Sequence, residues 1–188
     1  MISTLTKSFV FHKTTDISNV VNIVEQFDSE WLDNVSRQNT FDVHKDTSTI
    51  RITDFDLDWE CFGPYEYQLV LKNKKLLSLL NPVFDYLKDL HNGKLGRSML
   101  VKLPAGKNID KHFDGGSYLS LAKRHHIPII TNGKVWFVID GEKKHLAEGE
   151  IWEIDNTKEH EVQNLGDKDR VHLIVDIIPN VFIGKQYV

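Results

Sequence analysis

Apolar positions in the first half of the chain recur at helical spacing, whereas in the second half they come in short, closely spaced runs. Ile17, Val20, Val21, Val24, Phe27 and Trp31 follow one another at intervals of about three and four, which predicts a helix over residues 16–31 with Asp16 as its N-cap. A second helix is predicted over 74–90. There Leu76, Leu77, Leu80, Val83, Phe84, Leu87 and Leu90 form one broad stripe. Pro82 lies inside that stripe and is expected to break or kink the helix, because proline removes a donor and clashes with the preceding turn. Between the two, residues 49–55 alternate like a strand.

Beyond residue 94 the runs are β-rich: 98–103, 125–131, 135–140, 144–146, 151–154, 161–164 and 170–178. The breaks carry turn chemistry, in Pro104-Ala105-Gly106, Asp114-Gly115-Gly116, Asn132-Gly133, Asp140-Gly141, Glu148-Gly149 and Asp155-Asn156. Asn132-Gly133 between two apolar runs predicts a hairpin. Many short strands without intervening helices predict an antiparallel barrel or jelly roll over 94–179. The expected architecture is mainly β with flanking helices (α+β): a helical and mixed part, 1–93, packed against the barrel. No linker, repeat or low-complexity tract divides the 188 residues, so one domain is expected.

Charge and cysteine content narrow the partners. The net charge is 23 − 27 = −4, and the basic residues form no stripe with interleaved aromatics, which argues against nucleic acid. Lys72, Lys74 and Lys75 read as a solvated face. The only cysteine, Cys61, excludes an intrachain disulfide and reads as a packing residue in a reducing compartment. No apolar h-region opens the chain and no window of 18 apolar residues occurs, so a soluble, cytoplasmic protein without a membrane span is expected.

The candidate chemistry lies in the β-rich half. His112 and Asp114 are two apart, so on an extended segment both point to one side. His160 follows 46 residues later, after the turn at Asp155-Asn156-Thr157. Two imidazoles and a carboxylate suit a facial Fe(II) site with positions left open, although zinc accepts the same donors. Arg170 comes ten residues after His160, far enough to return along the neighbouring strand and present a guanidinium to a carboxylate. Singly, each of these is more often bland: a chance His-x-Asp, a core histidine, a surface arginine. The ordered set is more specific than its members.

Several segments also resemble the aspartyl/asparaginyl β-hydroxylases. Leu103-Pro-Ala-Gly-Lys-Asn-Ile-Asp-Lys-His-Phe-Asp114 is similar to the stretch that brings in the family's first metal ligands. Arg124-His-His-Ile-Pro-Ile129 resembles its Arg-x-His-hydrophobic-Pro strand. Gly149-Glu-Ile-Trp-Glu-Ile-Asp155, His160-Glu-Val-Gln-Asn164 and Arg170-Val-His-Leu-Ile-Val-Asp176 resemble its closing strands in order. The resemblance covers about residues 97–178 and implies a double-stranded β-helix (jelly-roll, cupin-like). It implies His112, Asp114 and His160 as ligands of Fe(II), with Arg170 anchoring the distal carboxylate of 2-oxoglutarate. His126 and Arg124 match positions that hold the co-substrate or shape its pocket, and the strand period puts His125 on the opposite face. Phe41-Asp-Val-His44 resembles an N-terminal segment that lies near substrate. His172, Trp136 and Trp152 read as packing residues, and His91 and His145 as surface residues.

The activity so implied is that of a dioxygenase using Fe(II), 2-oxoglutarate and O2 to hydroxylate an unactivated C–H of an amino acid or of an Asp, Asn or Pro residue, releasing succinate and CO2. Longer members act on proteins, and small bacterial relatives act on free amino acids such as proline. The competing readings are a cupin-type metal-binding protein or isomerase that does not use 2-oxoglutarate, a non-catalytic sensing domain and, last, a nucleic-acid demethylase.

Overall fold

The computed structural model describes residues 5–32, 36–54, 68–69 and 71–183, so Cys61 and Phe55 lie outside the described residues. In chain order the elements are β1 (Phe9–Thr14), α1 (Ser18–Val24), α2 (Ser36–Thr40), β2 (Ser48–Asp54), β3 (Gln68–Leu69), α3 (Lys74–Leu90), β4 (Gly93–Leu103), β5 (Asn108–His112), α4 (Ser117–Leu121), β6 (Lys123–Ile130), β7 (Val135–Ile139), β8 (Glu142–Lys144), β9 (Glu150–Ile154), β10 (His160–Asn164) and β11 (Arg170–Pro179). Short 3-10 turns occupy Ser29–Leu32, Asp42–His44 and Asn180–Phe182.

The described residues are mostly β, at 41% strand. Its strands form a larger antiparallel sheet in the order β1-β9-β6-β11-β4-β2-β3 and a smaller one in the order β5-β10-β7-β8. Phe9, Leu103 and Ile154 of the larger sheet pack with Ile109, Val135, Phe137, Ile139 and Val162 of the smaller, so the two sheets face each other over a shared apolar core. The jelly-roll expectation holds in this form: among the described residues the sheets meet through side chains and are not hydrogen-bonded into a closed barrel. The outer face of the larger sheet is covered by helices, with Val20 and Val24 of α1 and Leu76, Leu80, Val83, Phe84 and Leu87 of α3 packed on Ile50, Ile52, Leu100, Ile127 and Leu173.

The first expected helix is shorter than its periodicity suggests. α1 ends at Val24 and a 3-10 turn takes up Ser29–Leu32. Between them the Asp28 amide donates to Glu30 Oε2, a local bond that competes with helix continuation. The N-cap is Ile17, not the expected Asp16; Asp16 stands one residue earlier and accepts from the amide and hydroxyl of Ser18 at 2.9 and 2.7 Å.

α3 runs through Pro82 unbroken, contrary to expectation. Pro82 and Ser78, whose carbonyl loses its donor, are both exposed. The missing bond therefore falls on the solvated side, while the apolar stripe holds the other side to the sheet. Asn73 caps the helix, its side chain accepting from the Leu76 amide at 3.0 Å. Of the expected stripe only Leu90, in the last turn, is exposed. No helix among the described residues is long and apolar enough to cross a membrane.

Asn132-Gly133 does not form the expected hairpin. β6 and β7, which flank it, belong to different sheets, and neither residue takes the positive φ that a type I′ turn requires. Asn132 instead ties the crossing down, its Oδ1 accepting from the Lys134 amide and its Nδ2 donating to Asn164 Oδ1. The tight hairpin lies at Asp140-Gly141, with φ 49° and 80°, where Ile139 pairs with Glu142. That turn moves β8 to Glu142–Lys144, ahead of the expected 144–146. β1, α2, β3, β5 and α4 are additions to the expected elements.

Candidate metal centre

β5 and β10 are antiparallel neighbours, and His112 and His160 are register partners across them. Their ring centroids lie 4.3 Å apart. His112 Nδ1 approaches the Asp110 carbonyl at 2.8 Å, and His160 Nδ1 approaches the Lys158 carbonyl at 2.9 Å. A carbonyl only accepts, so each Nδ1 carries the proton and donates, which leaves each Nε2 with its lone pair. Both Nε2 atoms face Asp114: His112 Nε2 lies 3.9 Å from Oδ1 and His160 Nε2 lies 3.8 Å from Oδ2. The three donor atoms all fall within 4.8 Å of one another. Two bare imidazole nitrogens and a carboxylate, converging beside a cavity, fit a divalent transition metal with room for further ligands.

Asp114 sits just past β5, where its amide donates to the Asn156 carbonyl at 3.3 Å. Arg124 on β6 holds its carboxylate, Nη1 donating to Oδ2. The same guanidinium grips buried Asp176 of β11 with two parallel bonds of 2.8 Å, from Nε and Nη2. Arg124 thus bridges two carboxylates, and burial alone would drive its charge off, but Asp114 and Asp176 raise its pKa instead. For Asp114, burial works against the charged form; Arg124, His160 and His112 overcome it and hold the pKa below the usual value. Burial lowers the pKa of His160 although Asp114 opposes it, which keeps the ring neutral and able to ligate.

His126 is two residues beyond Arg124 on the same face of β6, and Arg170 opens β11. Both line one small cavity together with His112, Asp114 and His160. Arg170 is 1% exposed, and its Nε and Nη2 have no hydrogen-bond partner among the described residues. Burial, followed by the nearby charge of Arg37, pushes its pKa down to about 9. His126 Nδ1 meets His172 Nδ1 at 3.4 Å, and burial lowers both rings well below their usual value. A wider cleft of about 580 Å³ opens from Asp114 and His112 outward. His44 and Arg37 line both spaces.

A family model for aspartyl/asparaginyl beta-hydroxylase matches residues 19–179, most of the chain and all of the elements that carry this centre. The chain belongs to that family. Among solved structures, a 2OG-Fe(II) oxygenase family protein from Burkholderia pseudomallei is similar at a TM-score of 0.55 and 17% identity, covering 76% of this chain and 71% of that one. A predicted oxalate decarboxylase from Thermotoga maritima aligns at a TM-score of 0.37 and 18% identity over 70% and 80% of the two chains. A cupin domain from Bordetella pertussis aligns at 0.35 and 18% over 43% and 79%. No curated protein sequence matches. Family membership and the group of metal-type donors together support a hydroxylase-type metalloprotein acting on a small-molecule or peptide substrate.

In this hydroxylase-family chain the structure brings all six expected site residues, His112, Asp114, His160, Arg170, His126 and Arg124, around one small cavity. His44 stands edge-on to His112, with centroids 5.2 Å apart, and accepts at Nε2 from Arg37 at 2.9 Å. Two contributors went unassigned in the sequence. Asp176 shares the inner face of β11 with Arg170 and His172, and a carboxylate at even spacing from Arg170 in an apolar strand was its only signal. Arg37, on the five-residue helix α2, carried no signal, because its place depends on tertiary packing. His91 corrects the surface reading: its side chain is 13% exposed and packs on His125, on the far side of the sheet.

Proposed function

We propose that this chain is an Fe(II)- and 2-oxoglutarate-dependent hydroxylase. His112, Asp114 and His160 ligate the iron, and Arg170 anchors the distal carboxylate of the co-substrate. The observation that carries the reading is the buried Arg170 guanidinium, unpartnered at two nitrogens among the described residues, on the wall of the cavity that the three ligands share. An unpaired buried cation is costly unless a ligand supplies the anion. A dicarboxylic 2-oxo acid does so with one end while its 2-oxo acid end reaches the metal. When bound, Fe(II) couples the decarboxylation of 2-oxoglutarate to succinate and CO2 with the use of O2 to hydroxylate a C–H bond.

The protein's own work is positional. Arg124 fixes the Asp114 carboxylate, and the backbone carbonyls of Asp110 and Lys158 hold the two imidazoles in the ligating tautomer. His126, neutral and beside His172, shapes the co-substrate end of the cavity without adding a positive charge near Arg170. Substrate enters the wider cleft, whose ionised walls are Arg37, Arg51, Arg97 and Arg124 against Asp114. Arg51 and Arg97 both pair with Asp54, and Arg124 pairs with Asp114 and Asp176. Arg37, by contrast, keeps Nη1 buried without a hydrogen-bond partner among the described residues and suits a substrate bearing a carboxylate, such as an amino acid or an acidic residue of a peptide.

Anaerobic calorimetry with Mn(II)-loaded protein tests the anchor directly. We expect 2-oxoglutarate to bind the native chain and to be lost from Arg170→Ala, with Mn(II) binding retained. Succinate release on adding Fe(II) and O2, stimulated by a carboxylate-bearing substrate, is the expected turnover. Failure of the native chain to bind 2-oxoglutarate would refute the reading.

A further inference from the structure

On the opposite face of the larger sheet, away from the cavity, a second group of donors converges. His125 of β6 and Glu153 of β9 are register partners. His12 lies where β1 slips its register against β9, between Phe11 and Lys13. His91 is the C-cap of α3, whose packing on this face brings the helix end over the strands. His91 Nε2 and His125 Nε2 are 2.9 Å apart, and Glu153 Oε2 lies 3.5 Å from His12 Nε2 and 3.7 Å from His91 Nε2. All four donor atoms fall within 4.8 Å of one another.

We propose that His12, His91, His125 and Glu153 form a second metal site, a closed four-ligand site for Zn2+ that fastens the edge strand β1 and the end of α3 to the sheet. Tetrahedral zinc with bonds of about 2.0–2.1 Å sets its donors about 3.4 Å apart, a value that the observed separations straddle. The surrounding hydrogen bonds are in place as well. His125 Nδ1 donates to the Val175 carbonyl at 3.3 Å, which leaves its Nε2 as the ligating nitrogen. His12 Nε2 is buried without a well-aligned hydrogen-bond partner. Lys123 approaches Glu153 at its other oxygen, Oε1, at 3.7 Å, so Oε2 stays directed at the histidines. The C-terminal end of α3 adds the negative end of a helix dipole beside the site.

The protonation states agree with this geometry. Burial pushes His125 down to about 3 and lowers His91, so both rings are neutral at pH 7. Burial alone would raise Glu153, but His12 foremost, together with the charge of Lys123, holds its pKa below the usual value. Three imidazoles with one carboxylate and no open position make the pattern of a structural zinc site rather than a catalytic one. Substrate access is not needed, since Glu153 and His125 are 4% and 0% exposed.

The test disables the first centre with His112→Ala/His160→Ala and measures Zn2+ retained after gel filtration. We expect one equivalent per chain, a rise in Tm of about 5–10 °C at a hundredfold excess over Kd, and intense visible bands of four-coordinate geometry on Co2+ substitution. Adding His12→Gln or His91→Gln should abolish all three. Both side chains, 12% and 13% exposed, lie at the margin of the core, so the fold is expected to survive the change. Circular dichroism confirms that each variant is folded. Zn2+ retention unchanged by both glutamine variants, or no zinc bound to the parent at micromolar concentration, would overturn the proposal.

Discussion

His112 and His160 face each other across β5 and β10, yet each ring is oriented by its own segment, through a bond to the carbonyl two residues earlier. Neither imidazole depends on the other for its tautomer. Removing one should therefore leave the remaining ligands in position and subtract a single donor. His160→Ala is expected to weaken Mn(II) binding by more than about 100-fold, beyond the 10–100-fold typical of losing an outer partner. Electron paramagnetic titration measures it, and an unchanged affinity would remove His160 from the ligand set.

Arg124 spans Asp114 and Asp176, so Asp176 should govern the metal centre without touching it. In Asp176→Asn the bidentate bond is lost and Arg124 is free to rotate about Asp114. We expect metal affinity to fall about 10–100-fold. Stability should fall by about 3–5 kcal/mol, the usual cost of breaking a buried pair. Mn(II) titration and urea unfolding separate the two effects. Arg124→Lys should reproduce the first, since an ammonium cannot grip one carboxylate bidentately while holding another.

These relationships are legible in the sequence where strand alternation carries them. His112 with Asp114, and Arg124 with His126 against His125, follow from a period of two once the segments are extended. Arg37 does not show, because a short helix has no strong pattern and its position comes from packing. The cluster of His12, His91, His125 and Glu153 is equally hidden. It draws single residues from three strands and a helix end, each ordinary alone, and His91 even reads as a surface residue. Pro82 misleads for a related reason: propensity alone does not show that Pro82 and Ser78 face solvent.

Acid sensitivity follows from the buried imidazoles. Burial, first among the causes, holds His125 and His44 at about 3 in the folded chain, against about 6.5 when unfolded. Below pH 6.5 the unfolded state takes up protons that the folded state refuses, so stability falls as pH drops toward 3. Each fully buried ring contributes up to about 1.4 kcal/mol per pH unit in that window. Asp114 and Glu153, both lowered, act in the same direction at the acid end. The urea midpoint should therefore fall steeply between pH 6 and 4, and a flat profile there would mean that these rings take up protons in the folded chain.

The two Gly-containing turns make opposite demands, although their sequences look alike. Gly141 has φ 80° and no atom within 4 Å of an added Cβ, so Gly141→Ala meets no clash and carries only the cost of the left-handed backbone, about 1–2 kcal/mol. Gly133 also has open space around it but has no positive φ. Gly133→Ala should be neutral or stabilise by about 0.4–1 kcal/mol, since alanine has fewer unfolded conformations to lose. Urea unfolding of the two variants side by side distinguishes the hairpin at Asp140-Gly141 from the sheet-to-sheet crossing at Asn132-Gly133. If Gly133→Ala were the costlier change, the crossing would have to contain the primed turn that its sequence first suggests.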